Sequence, residues 1–495
     1  IQNYIITRTS KSQQLIYFLP QDQKSGISFC ISHTDPHSIS YFNRQLKIHT
    51  VLNIKMHILR VFNTPKRLSN SLSRFTLLPK SSFEINRKIN THIPVVDNLE
   101  EYLKSHNLYY KSSLNEKETA LFLSKASNRN GSVYAGFDPT APSLHLGNLL
   151  PIMALSAFYI HGFDVYFLVG GGTASLGDPT GKSKERELID AEKLEHNRKE
   201  IHILLRNLTN NISQYFKDKG YSNLDTSRIK IVDNKEWLSD TNILTFFRDV
   251  GRLIRAGPLI DREYVQARLK SGVGISLAEF VYQSFQAYDF YHLFRTFGIN
   301  IQIGGADQWG NLMSGVTLIE KGLNSDVKLQ SSYKKLNSNG QIVSSPVLAF
   351  TTPLLVDSKG EKIGKSTGDK KRAWLSKNSM SPLDFFTFCR GMPDNDAAIY
   401  IKSYTCISKE EFIELRSAHE KNPKNRLLQK RLAVELTWLV HGKNDMELCI
   451  EKSEILTTID ILSNELKNRP DDIKLNDKFR KIAEQAVSLL KNQSS

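Results

Sequence analysis

Two short stretches, far apart in the chain, carry residue types that could handle a polyphosphate. Tyr134 to Asn148 reads YAGFDPTAPSLHLGN, and it places His145, Gly147 and Asn148 where an apolar helix should begin. A helix start offers unpaired backbone N–H groups and the positive end of the peptide dipole, and a glycine lets a phosphate come close. His145 and Asn148 would aim further donors at it. Taken alone, HLGN reads more readily as a histidine that caps an ordinary helix, since so short a motif recurs by chance. The second stretch, Lys362 to Ser366, reads KIGKS. Two lysines three apart around a glycine can bring two ammonium groups to one polyphosphate. The chemistry that both stretches suit is the handling of a nucleotide triphosphate.

Elements that could position these groups follow from the surrounding pattern. Val133 to Phe137 reads as a strand, a turn rich in Pro and Ser follows, and a helix begins near Leu146. Val165 to Val169 then reads as a buried strand running straight into Gly170, Gly171 and Gly172. Strand, helix, strand is a βαβ unit, which predicts a parallel sheet with a right-handed crossover. Ligands of such sheets bind at the carboxyl ends of the strands, where these glycines and Asp178 lie. Ile301 to Asn311, IQIGGADQWGN, repeats the arrangement, with Gly304 and Gly305 closing a strand and Asp307 and Gln308 at its mouth. Long helices are expected over Asn197 to Phe216, Thr241 to Leu269 and Ser276 to Phe297. The dense aromatics of the third, Tyr288 among them, read as packing. The fold class is therefore α/β, a Rossmann-like parallel-sheet domain over about 96–379 with a helical insertion at about 236–297. After Met380 the pattern turns helical and charged, with Ser381 and Ser408 as caps, and predicts an all-α domain over about 380–458. A short tail, 459–495, follows.

Composition bounds the rest. The 495 residues, 40% hydrophobic and 24% charged, suit a globular protein of two or three domains. The net charge of +15 is less telling than it looks, because eleven basic residues against Asp22 and Asp35 place +9 of it before Glu84. That leaves +6 for the remainder, weak support for a nucleic-acid partner. Residues 1–95 show no sustained period. From Met56 they are basic, rich in Ser and free of acids up to Phe83, which predicts a mitochondrial transit peptide; the alternative is a basic arm. Met56 is the first methionine, so residues 1–55 are expected to lie upstream of the true start. Cys30, Cys389, Cys406 and Cys449 form no CxxC pair, so neither zinc nor a disulfide framework is predicted. The longest apolar run, Leu149 to Ile160, falls short of the roughly 18 residues that a membrane span needs.

The two signatures resemble the HIGH and KMSKS boxes of class I aminoacyl-tRNA synthetases. With LVGGGTASLGDPTGKSKER, FVYQSFQAYDF and IQIGGADQWGN in order between them, residues 98 to 456 resemble the bacterial and mitochondrial tyrosyl-tRNA synthetases. The resemblance implies activation of L-tyrosine by ATP, with Mg²⁺, and transfer to tyrosine tRNA by a homodimer in the mitochondrial matrix. Tyr134 and Asp289 would hold the substrate phenol, while Asp178, Tyr282 and Gln286 would surround its ammonium group, with Gln302 and Gln308 lining the same pocket. For ATP it implies Asp138, Thr140, His145, Gly147 and Asn148 on one side, Gly136, Gly305 and Asp307 about the nucleoside, and Lys362, Ile363, Lys365 and Ser366 at the phosphates. Lys182 and Arg186 match positions on a loop that also reaches the pyrophosphate. No resident metal site is implied. The helical domain at 380–458 would bind the anticodon, while the S4-like domain of bacterial relatives is expected to be absent or cut down. Asn148 and KIGKS depart from the family's second histidine and its KMSKS without losing a donor or a lysine. A tryptophanyl enzyme shares the fold and both boxes, but Tyr134, GADQWGN and the length favour tyrosine. An RNA-binding protein on an inactive synthetase fold would be expected to lose His145, Lys362 or Lys365, and all three stand.

Overall fold

The computed structural model describes residues 98–127, 131–180, 189–222, 224–272, 274–325, 345–354, 373–468 and 482. The predicted transit segment, the loop with Lys182 and Arg186, and the KIGKS stretch lie outside them. Residues 71–453 form one compact unit; residues 1–70 with 454–495 form another. In the second, only the end of the last helix and residue 482 are described, with Thr458 Oγ1 donating to Glu454 O at 2.8 Å. Everything that follows concerns the first unit.

The chain enters through α1 (Leu99–Ser105), β1 (Lys111–Ser112) and α2 (Glu116–Ser127), and reaches β2 (Ser132–Phe137). Next come α3 (Leu149–Ile160), β3 (Asp164–Val169), α4 (Ala191–Asp218) and β4 (Ile229–Asp233). The strands pair in the order β1, β6, β5, β2, β3, β4, where β5 is Ile301–Gly305 and β6 is Leu348–Thr352. From β2 to β6 every pairing is parallel, as the βαβ pattern predicts. The expectation of a wholly parallel sheet needs one correction, for β1 runs antiparallel to β6. Tyr110 N and Ser113 N donate to Thr351 O and Ala349 O, both at 2.8 Å, so a two-residue strand covers the edge that β6 would otherwise expose. The strand order reverses at β2, whose Tyr134 is level with Tyr166 of β3 on one side and Gln302 of β5 on the other. Such a reversal opens a crevice at the carboxyl ends of the two inner strands.

The stretch expected to form one helix from Thr241 to Leu269 is broken. After α5 (Lys235–Leu238) it forms α6 (Ile243–Asp249), a single 3₁₀ turn at Gly251–Leu253, α7 (Ala256–Ile260) and α8 (Glu263–Lys270). Gly251 weakens a helix by its backbone freedom, and Pro258 has no N–H to donate, so it is tolerated only in the first turn of α7, where donors are unpaired anyway. The next helix, α9 (Leu277–Phe297), is continuous. Ser276 caps it by accepting from Glu279 N, and Gly298, at φ +69°, stops it by adopting the left-handed conformation. Its aromatics divide as expected: Phe290 and Phe294 are buried, and Tyr288 packs edge-on against Phe246, ring centroids 5.4 Å apart. With α10 (Trp309–Ser325), α9 covers the sheet in a core that includes Tyr134, Leu168, Phe290, Leu312 and Val316. Fully burying a side chain such as Phe290 stabilises by about 1.5–3 kcal/mol.

The C-terminal helices are α11 (Pro382–Arg390), α12 (Asp394–Tyr404), α13 (Lys409–Lys421), α14 (Leu427–His441) and α15 (Lys443–Asn468). Ser381 and Ser408 cap α11 and α13, as their spacing predicts. A buried polar node joins α14 to α4: the Glu435 carboxylate accepts from Tyr215 at 2.6 Å, and from Lys219 and Arg431 at 2.7 Å each. Cys389, Cys406 and Cys449 are buried free thiols, and among the described residues no helix is long and apolar enough to cross a membrane.

Candidate active site

The crevice at the strand reversal gathers most of the residues singled out in the sequence. β2 is buried along its length except at Gly136, whose missing side chain leaves the strand exposed just before its end. Beyond it, Asp138 accepts from Tyr282 Oη at 2.7 Å and from Thr173 Oγ1 at 2.9 Å. The fit is close enough to demand glycine at position 170, where a Cβ would overlap the Asp138 carboxylate. Asp138 and Tyr282, expected to face different parts of the ligand, are therefore hydrogen-bonded to each other.

A second cluster lies at the mouth of β5. Asp178 accepts from Thr180 N and from Gln308 Nε2, both at 2.9 Å. Asn311 Nδ2 in turn donates to Gln286 Oε1 at 2.9 Å and to Gln308 Oε1 at 3.1 Å. Asp178, Gln286 and Gln308 thus form one network with Asn311 as its hub. Gln302, buried on β5, has an Oε1 with no hydrogen-bond partner.

Asp289, carried by α9, is only 2% exposed. Its two oxygens accept from Asn234 Nδ2 and Trp237 Nε1, each at 2.8 Å. Burial pushes its pKa up to about 7; the two donors oppose this, and the carboxylates of Asp138 and Asp233 add to it. Tyr134 faces the same space from β2. Its side chain is buried, its Oη has no hydrogen-bond partner, and burial followed by the Asp289 charge raises its pKa. Asn234 also binds the glycine turn, accepting from Gly172 N at 2.7 Å and donating to Thr173 Oγ1 at 3.0 Å. Asn234, Trp237, Thr173 and Asn311 were not anticipated. Of these, Asn234 carries a readable signal, since it directly follows IVD at the carboxyl end of a parallel strand.

Around HLGN the capping reading proves correct in its geometry. His145 Nδ1 accepts from Gly147 N, and Asn148 Oδ1 accepts from His145 N, both at 3.1 Å, across a 3₁₀ turn at Leu146–Asn148. The oxygen of Asn148 thus serves the turn, while the donor expected of this residue is its Nδ2. Gly147 is partly exposed there. Thr140 and Asp307 are exposed, and Gly305 partly so. Lys182, Arg186, Lys362, Ile363, Lys365 and Ser366 lie outside the described residues. The described residues therefore bring together a buried acid and an unpaired phenol, a hydrogen-bonded network around Asp178, and partly exposed glycines at the ends of the strands.

Comparison with known proteins agrees with this arrangement. The family model described as tRNA synthetases class I (W and Y) matches residues 125–456. The human mitochondrial tyrosine–tRNA ligase is 39% identical over 316 residues, 64% of this chain and 61% of that protein. The tyrosine–tRNA ligase of Lactobacillus acidophilus is 35% identical over 364 residues, 73% of this chain and 77% of that protein. The chain thus spans less than two thirds of the length of the human relative, and 64% of the rat mitochondrial one. Among solved structures, a C-terminally truncated mitochondrial tyrosyl-tRNA synthetase from Aspergillus nidulans superposes with a TM-score of 0.64 at 29% identity, covering 76% of this chain and 97% of that one. The strand reversal, together with the family match over residues 125–456, places the chain in the class I tRNA synthetases of the tryptophan and tyrosine type, and the relatives it resembles are tyrosine–tRNA ligases.

Proposed function

We propose that the chain activates L-tyrosine with ATP, releasing pyrophosphate, and passes the tyrosyl group from the adenylate to the 3′-terminal adenosine of tyrosine tRNA. One observation carries the reading: a buried carboxylate, Asp289, already held by two donors, stands beside a buried phenol, Tyr134, whose hydroxyl has no partner. Together they offer one acceptor and one donor to a single substrate hydroxyl. Phenylalanine would leave the buried Tyr134 hydroxyl without a partner and give Asp289 no further donor, at the cost of a desolvated polar group. In the middle of the crevice Asp178, with Gln286, Gln308 and Tyr282 nearby, supplies the charge and acceptors an ammonium group needs. That fixes the amino acid's carboxylate toward the open side.

There the nucleotide would lie along Gly136, Thr140, His145, Gly147 and Asn148, with Asp307 and Gly305 at the ribose. The tyrosine carboxylate attacks the α-phosphorus in line; the new bond is carboxylate oxygen to phosphorus, and the bond to the β-phosphate oxygen breaks. No covalent enzyme nucleophile is required. Positioning and charge stabilisation account for such a step. Mg²⁺ enters with ATP as part of the substrate. Lys362 and Lys365, with Ile363 and Ser366 between and beside them, and Lys182 and Arg186, would stabilise the departing pyrophosphate. The C-terminal helices would bind the anticodon arm. A homodimer through the inserted helices is supported by Ile243, Leu244 and Phe247 on α6, 67%, 76% and 55% exposed. The mitochondrial matrix is proposed from the names of the relatives and the composition of residues 56–83.

ATP–pyrophosphate exchange with tyrosine, tryptophan and phenylalanine presented separately tests the reading. Exchange with tyrosine alone supports it. Exchange driven by tryptophan, or by none of the three, contradicts it.

A further inference from the structure

One side chain outside the proposed ligand groups packs on a residue that is hydrogen-bonded to one of them. His292 follows Asp289 by three residues on α9, and its imidazole is stacked flat on the indole of Trp237, ring centroids 4.6 Å apart and planes 14° from parallel. That indole is the one whose Nε1 donates to Asp289 Oδ1 at 2.8 Å. Trp237 sits on α5, a helix of four residues whose first residue follows a cap that makes no side-chain hydrogen bond. Such a short element does not by itself fix a rotatable ring. Tyr288 tilts onto the imidazole, centroids 6.1 Å apart, and Thr296 Oγ1 lies 3.5 Å from His292 Nε2. The imidazole is thus held in place while its face meets the indole.

An N–H bond lies in the plane of its ring, so the plane of Trp237 decides where its donor points. Offset stacking of two flat rings restricts that plane. We infer that His292 is a positioning residue for amino-acid recognition: by stacking on Trp237 it fixes the indole plane, and through the indole N–H it orients the Asp289 carboxylate that takes the substrate's phenol proton. The inference rests on the proposed tyrosine pocket. It goes further by assigning part of the pocket's selectivity to a residue that the substrate never meets. Ordinary packing would make a different demand on the same position: losing the ring would lower stability without singling out one substrate.

The test is exchange kinetics on the full chain and five variants, with unfolding temperature measured alongside. His292→Ala is expected to raise the KM for tyrosine by about three- to tenfold, the worth of one aromatic stack or hydrogen bond. The KM for ATP should stay within about twofold of the original, and the preference for tyrosine over phenylalanine should fall. His292→Phe, which keeps a flat ring, should restore the tyrosine KM, whereas His292→Gln, a second variant without a stacking ring, should behave like Ala. In a Trp237→Phe background, His292→Ala should add nothing further, because both changes act through the same N–H. The inference falls if His292→Ala lowers stability while leaving the tyrosine KM unchanged, if Phe fails to rescue, or if the two substitutions are additive. In each of these cases the parent chain still activates tyrosine and the pocket reading stands. A parent chain that does not activate tyrosine overturns both.

Discussion

Asp289 shows how a single side chain sets the conditions under which the proposed pocket works. A carboxylate taken out of water prefers to be neutral, and here burial outweighs the donors Asn234 and Trp237, so that its pKa lies at about 7. Only the ionised form lets both oxygens act as acceptors, so that a phenol O–H can donate to one of them while Asn234 and Trp237 keep their bonds. Tyrosine affinity should therefore be flat above pH 7 and weaken as pH falls below it, by up to about tenfold per unit. Titration calorimetry from pH 5.5 to 8.5 would reveal the bend, and Asp289→Asn should remove it. An unchanged affinity across that range would mean that the carboxylate does not accept the phenol. Asp289 and Tyr134 were legible only through the resemblance of FVYQSFQAYDF and YAGFDPTAPSLHLGN to the family's motifs, not through any local pattern. Asn234 and Trp237 were not: their bonds to Asp289 span 55 and 52 residues, and no local period records a contact of that kind.

At the scale of elements, the site depends on α9 starting and stopping where it does, since that helix carries Tyr282, Gln286 and Asp289 together. Ser276→Ala removes the cap that accepts from Glu279 N, and should cost about 1 kcal/mol of stability in chemical denaturation. Because the cap lies at the first turn, far along the helix from Asp289, the tyrosine KM should hardly change. A loss well above 2 kcal/mol would mean that Ser276 does more than cap. The strands β2, β3 and β5 could be read from their apolar runs ending in glycine or Asp-Pro, the pattern of parallel strands buried on both faces. β1, with two residues, has no room for a pattern, whereas β4 and β6 match β5 in length and were passed over because neither runs into glycines. The insertion misled for another reason: its apolar spacing is helical throughout, but Gly251 and Pro258 break the backbone that carries the spacing.

Across the whole unit, the Glu435 node ties the C-terminal helices to α4, and it does so with buried charge. Burial alone would raise the Glu435 pKa, but Lys219 and Arg431 hold it down at about 2. A depressed carboxylate contributes stability at all pH values above its ordinary range and loses it as pH falls toward the folded value. Acid unfolding is therefore expected between about pH 4 and 2, and Glu435→Ala, which leaves Lys219 buried without its carboxylate, should cost about 3–5 kcal/mol. Thermal melts at pH 7 and pH 3.5 would check both; a variant as stable as the parent at neutral pH would show the node to be incidental. The central claim concerns the strand reversal, where Tyr134 is proposed to donate to the substrate hydroxyl. It is tested most directly by exchange kinetics of the parent chain and Tyr134→Phe with tyrosine and with phenylalanine. The account predicts that the preference for tyrosine in kcat/KM falls by about two- to tenfold, the worth of one neutral hydrogen bond. An unchanged preference would contradict it.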